Sequence, residues 1–141
     1  MSERAPAEIV ALINHPGETR VFSLSEANQT LELVRKVTER AVRDLAPLQE
    51  KMSALLDCDP RLPSLESAFE DVVRKWVART QRLGLRVSGL WEVGFDTGDG
   101  YLCWRHPEIR LAYFRDYGED FQFRRSLERV IEEYEPDWAL E

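Results

Sequence analysis

Cys103 and His106 stand in a Cys-x-x-His spacing, which is half of a zinc site. Completing four sulfur and imidazole ligands would take Cys58 and His15 as well, every cysteine and histidine in the chain. The same pair could act as nucleophile and base. Strand alternation, however, does not put residues three apart on one face, and no third group is evident to orient the imidazole. The plainer reading is a small buried thiol on a strand. No metal, no cofactor and no catalytic residue is therefore expected. Gly94-x-x-x-Gly98-x-Gly100 is glycine-rich, but a phosphate loop opens directly into a helix and here a strand pattern follows, so the segment reads as a hairpin loop. Asp96 and Asp99 share that loop without the further oxygen ligands or the closing Glu of a calcium site.

A second group of residues holds more promise: Trp104, Arg105, Tyr113, Asp116 and Arg124. A guanidinium beside an aromatic wall suits an anionic or planar ligand. The same residues also suit a structural lock, in which Arg105 or Arg124 pairs with Asp116 and fastens the following segment over the sheet. The lock is the plainer of the two, because charge–aromatic clusters are more often structural than functional. Glu66, Glu70 and Asp71 read as a solvated helix face.

These side chains must be positioned by a sheet. From Trp91 the apolar period is two: Trp91, Val93 and Phe95 alternate with Glu92 and Gly94. Asp96–Gly100 is a loop, Tyr101–Arg105 the next strand, His106–Ile109 a turn and Arg110–Asp116 a third strand. If Arg105 lies opposite Arg110, one face carries Leu102, Trp104, Leu111 and Tyr113, and the other Tyr101, Cys103, Ala112 and Phe114. Both faces are largely apolar, so both need cover.

A helical hairpin upstream can cover one face, and the C-terminal segment or a partner must cover the other. Ser23 and Glu26 form a capping-box pattern, and behind it Ala27, Leu31, Val34, Thr38, Ala41, Leu45, Leu48, Met52 and Leu55 recur at alternating spacings of four and three. Pro47 lies off this seam and predicts a kink within a helix over 24–57. A turn at 57–63 leads to a second helix over 64–83, with Leu65, Phe69, Val72, Trp76, then Arg79 or Thr80, then Leu83 on its seam and Gly84 as a left-handed stop. The two form an antiparallel hairpin. At about 1.5 Å per residue the first helix runs near 50 Å and the second near 30 Å, so the second reaches back only to about residue 37. Ala27, Leu31 and Val34 then need another cover, either the β-region or a second copy of the chain. A homodimer through this seam is the expected partnership, with another protein partner as the alternative. Downstream, Leu127, Val130, Ile131 and Tyr134 share one face of a short helix. The expected fold is α+β: a long two-helix, coiled-coil-like hairpin on a three-stranded meander with a short C-terminal helix.

The chain has 141 residues and reads as one domain: an arm at 1–20, the hairpin at 21–84, the meander at 85–116 and an acidic segment at 117–141. Pro6, Ile9, Leu12 and Ile13 suggest a helical turn or two in the arm. Net charge is −7, which disfavours binding to a phosphate backbone, so no nucleic acid is expected. Much of it sits at the end, where Glu128, Glu132, Glu133, Glu135, Asp137 and Glu141 face Arg129 alone. No apolar run is long enough to span a membrane, no signal peptide is evident, and two separated cysteines suit the reducing cytoplasm.

Three blocks resemble the bacterial family catalogued as domain of unknown function 2203: Phe22–Asn28 leading into the first helix, Leu83–Val87 closing the second, and Tyr101-Leu102-Cys103-Trp104-Arg105 followed by Tyr113, Gly118, Phe121 and Arg124. The likeness covers about residues 21–127, with a shortened segment at Gly94–Gly100. It implies a small α+β domain with a long helical hairpin and implies no activity. Two functional readings follow. One is a non-enzymatic, self-associating interaction module, which the unmatched helix length and the two-faced sheet favour. The other is a small-molecule-binding or enzymatic domain with its site around Trp104, Arg105, Tyr113, Asp116 and Arg124.

Overall fold

The computed structural model describes residues 19–140, so Pro6, Ile9, Leu12, Ile13 and His15 of the N-terminal arm lie outside the described residues. Helix α1 (Leu24–Ser53) opens on the expected capping box: Glu26 N–H donates to Ser23 Oγ at 3.1 Å, and Ser23 N–H donates to Glu26 Oε1 at 3.1 Å. The helix passes through Pro47 without ending. It buries Ala27, Leu31, Val34, Thr38, Ala41 and Leu45, the first six positions of the seam. Helix α2 (Leu62–Arg82) packs against it with Phe69, Val73, Trp76, Val77 and Thr80. Thr38, the polar member of the seam, is explained by a buried hydrogen bond in which Trp76 Nε1 donates to Thr38 Oγ1 at 2.9 Å. Gly84 adopts φ +88°, and a side chain there would collide with Arg20 Cβ at 2.5 Å, so glycine is required where the chain leaves α2.

The sheet has five strands, not the expected three, all antiparallel and in chain order: β1 (Arg86–Gly89), β2 (Glu92–Asp96), β3 (Gly100–Arg105), β4 (Tyr113–Asp116) and β5 (Arg125–Ser126). The two additional strands hold four and two residues, too short to carry a readable period. Helix α3 (Leu127–Tyr134) follows β5 directly, and a four-residue helix α4 (Asp137–Leu140) ends the described chain.

The register of β3 with β4 differs from expectation by one residue. Cys103 lies opposite Tyr113, Leu102 opposite Phe114 and Tyr101 opposite Arg115. The cause is the connection, which is no tight turn. Residues 106–112 form a loop pinned by Glu108, whose carbonyl accepts from Trp104 Nε1 at 2.7 Å and whose Oε1 accepts from Arg105 N–H at 3.0 Å. A one-residue shift exchanges faces, so Phe114 joins Leu102 and Trp104 in the core while Tyr113 and Arg115 turn to the other side.

The cover over the long helix is also internal. Ala27, Leu31 and Val34 are 0%, 5% and 0% exposed within a single chain. They share one core with Phe22, Phe95, Leu102, Phe114, Leu127, Val130 and Trp138. Trp138 stacks on Phe114 with ring centroids 5.3 Å apart, its Nε1 donates to Asp99 Oδ2 at 3.1 Å, and α4 packs against α1. The seam, expected to be covered either by the β-region or by a second copy, is thus occupied by the sheet and by the C-terminal segment, which was expected to carry a helix only at 127–134.

Candidate functional site

With one sheet face sealed by helices, the functional question moves to the other. Cross-strand partners share a face, so Glu92 with Arg105, Gly94 with Cys103, and Tyr101 with Arg115 all project to the side away from the core. Arg86 pairs with Gly94 and joins them. Gly94 matters here because a Cβ at that position would lie 3.2 Å from the Tyr101 ring; its absence lets the ring lie flat across the strand. Tyr101, Cys103 and Phe121 form a small apolar cluster on this face, separate from the main core.

Above the cluster lies a cleft of about 520 Å³. Its strand-borne walls are Arg86, Ser88, Glu92, Arg105 and Arg115, and its far wall is Asp120, Phe121 and Gln122. Arg115 is buried, an uncommon state for arginine. Its guanidinium carbon stands 4.7 Å from the Tyr101 ring centroid, its Nη1 donates to the Glu119 carbonyl and its Nη2 donates to Ser88 Oγ at 3.2 Å. Its Nε is buried with no hydrogen-bond partner among the described residues. Arg86 reaches the same ring, 5.6 Å from its centroid, and its Nη1 donates to the Tyr101 hydroxyl at 3.4 Å. Among the described residues neither Arg86 nor Arg115 has a carboxylate within ion-pair distance. Arg105 is held loosely, 3.9 Å from Glu92. Burial pushes the Glu92 carboxyl above its ordinary value, with Arg105 the strongest opposing influence.

The five residues singled out from the sequence separate into different places. Trp104 belongs to the main core and does not line the cleft. Arg105 lines the cleft. Arg124 is locked, but to Glu108 and not to Asp116: Nη1 and Nη2 donate to the two Glu108 oxygens at 2.9 and 2.6 Å. The Arg124 guanidinium also lies 4.1 Å from the Tyr113 centroid and 4.7 Å from that of Phe121, so Tyr113 supports the lock. Asp116 pairs instead with Arg125 at 3.0 Å in an exposed contact, since its place opposite Gly100 turns it away from Arg124. Cys103 lies beneath the cleft, whereas the His106 ring stands edge-on to Trp104, 6.4 Å between centroids. Burial pushes the Cys103 thiol up to about 11 despite Arg115 and Arg124 nearby.

A family model matches residues 20–127, from the approach to α1 through the start of α3 and including every residue of the cleft. The chain belongs to the family described as uncharacterized conserved protein (DUF2203). No curated protein and no solved structure matches it. The family assignment carries the fold-level likeness and leaves the chemistry to the cleft. Arg86, Ser88, Glu92, Arg115 and Asp120 were not reached by sequence reasoning. The available signal was the alternation of β3 and β4: with Tyr101 set opposite Arg115, the second cation falls beside the ring.

Proposed function

We propose that this protein binds a small anion in the cleft between Arg86 and Arg115. The observation that carries the reading is the convergence of two guanidiniums on the single ring of Tyr101, with no carboxylate paired to either among the described residues. Their guanidinium carbons lie 5.6 and 4.7 Å from that ring centroid, and a phosphate or carboxylate bound beside it would take charge-assisted hydrogen bonds from them. The cleft has the dimensions of a small-ligand site. Its cations stand on strands, so they need little reorganisation on binding. Of the two readings drawn from the sequence, this favours small-molecule binding, with the centre moved from Trp104 and Asp116 to Arg86, Arg105 and Arg115. The self-associating module rested on the seam at Ala27, Leu31 and Val34, left open by the unmatched helix length, and on a sheet with two apolar faces; that seam lies in the core of one chain.

Calorimetric titration with ethyl phosphate tests the proposal. Wild type is expected to bind it saturably. Arg86→Gln and Arg115→Gln are each expected to lose about 10-fold or more in affinity, the scale of a hydrogen bond to a charged group. Unchanged affinity in both variants, with melting curves showing them folded, would rule out this cleft as the site.

A further inference from the structure

We infer that the ligand of this cleft is an anionic polyol: a small molecule with one phosphate or carboxylate group and several hydroxyls. The inference rests on the anion-binding reading and adds what the remainder of the lining requires. Beside the guanidiniums of Arg86, Arg105 and Arg115, the cleft carries two carboxylates, Glu92 on β2 and Asp120 after β4. Glu92 is partly buried and lacks a close partner, since the Arg105 guanidinium stands 3.9 Å away, too far for a direct hydrogen bond. Asp120 is exposed, and its side chain has neither hydrogen bond nor ion pair among the described residues, so its oxygens are open to a ligand.

A ligand filling this space meets both signs of charge. A second anionic group would be placed among Glu92 and Asp120, and a cationic group among three guanidiniums. A hydroxyl satisfies both, because it donates to a carboxylate oxygen while accepting from a guanidinium N–H. Ser88 and Gln122 supply neutral hydrogen-bonding partners in the lining. Phe121 offers an apolar surface to the C–H face of a polyol, and its ring is backed by Arg124 at 4.7 Å. Glu92 is also partly buried, and burial raises its carboxyl pKa, so hydroxyl donors replace hydration that the fold has taken away.

Two matched pairs of probes test this by calorimetry: glucose 6-phosphate against ethyl phosphate, and gluconate against butyrate. In wild type at least one hydroxylated member is expected to bind about 10-fold or more tightly than its plain partner, since a site built to bond hydroxyls discriminates against analogues that lack them. The pair that shows the preference distinguishes phosphate from carboxylate as the anionic group. In the Glu92→Gln/Asp120→Asn double variant that ratio is expected to fall to within about threefold of unity. Equal affinities within both pairs in wild type overturn the inference, as does a ratio that survives in a folded double variant. Binding of ethyl phosphate or butyrate without preference for the polyol overturns this inference alone. Saturable binding by none of the four overturns it together with the anion-binding reading. If the double variant fails to fold, the wild-type ratio decides by itself.

Discussion

Cys103 lies under a cationic cleft, a setting that often activates a thiol, and here burial outweighs the charges. With its pKa pushed up to about 11, the group is a neutral thiol at physiological pH. Cys58, by contrast, is exposed. Iodoacetamide at pH 8 is therefore expected to alkylate Cys58 in the native protein and Cys103 only after denaturation, as read by mass spectrometry. Rapid modification of both would contradict the burial argument. The sign of the linkage is also fixed. Between the ordinary value of 9.0 and about 11 the unfolded chain loses this proton while the native chain keeps it, so Cys103 lowers stability as pH rises through that window. Cys103→Ala should flatten that part of the stability–pH profile. The two arginine–carboxylate pairs behave differently from each other. Arg124 and Glu108 are mostly buried, so Glu108→Gln should cost about 2–3 kcal/mol by leaving a guanidinium without its counter-charge. Asp116 and Arg125 are exposed, so Asp116→Asn should stay within about 0.5 kcal/mol. Chemical denaturation of the two variants separates them, and equal losses would contradict the assignment of Glu108 as the lock.

At the scale of elements, legibility followed length. The seam of α1 runs through many turns, so its burial, its cap and its passage through Pro47 could be read from spacing alone. The strands β1 and β5 are too short for that, and the loop at 106–112 owes its length to Glu108, whose hydrogen bonds no local pattern announces. The resulting one-residue register difference hid the site: it moved Arg115 to the wrong face and so separated it from Tyr101. Arg105 was found because it shares a strand with the aromatic block, and Arg124 because it follows Phe121, whereas Arg86 stands on a strand not anticipated at all. The element least visible beforehand is α4. Its four residues carry Trp138 onto Phe114 and complete the cover of α1. Trp138→Ala is expected to cost about 3–4 kcal/mol, the scale of a buried aromatic truncation. A melting temperature equal to wild type would show that α4 contributes no cover.

For the whole molecule, the fold is α+β with its core between a helical pair and one face of a five-stranded sheet, and its open chemistry on the other face. No helix among the described residues is long and apolar enough to cross a membrane. Because Leu31 is covered within one chain, Leu31→Ala should lower stability by about 2–4 kcal/mol, and by the same amount at low and high protein concentration. A loss that shrinks as concentration rises would instead point to cover by a second copy. The central claim, however, concerns the cleft, and the arginine side-chain N–H signals report on it directly. Titration of isotopically labelled protein with ethyl phosphate, followed by nuclear magnetic resonance, should shift the Nε–H resonances of Arg86 and Arg115 saturably and together, while the Arg124 resonance, already held by Glu108, stays nearly fixed. Shifts that are small, linear in concentration and equal among all arginines would contradict an anion site in this cleft.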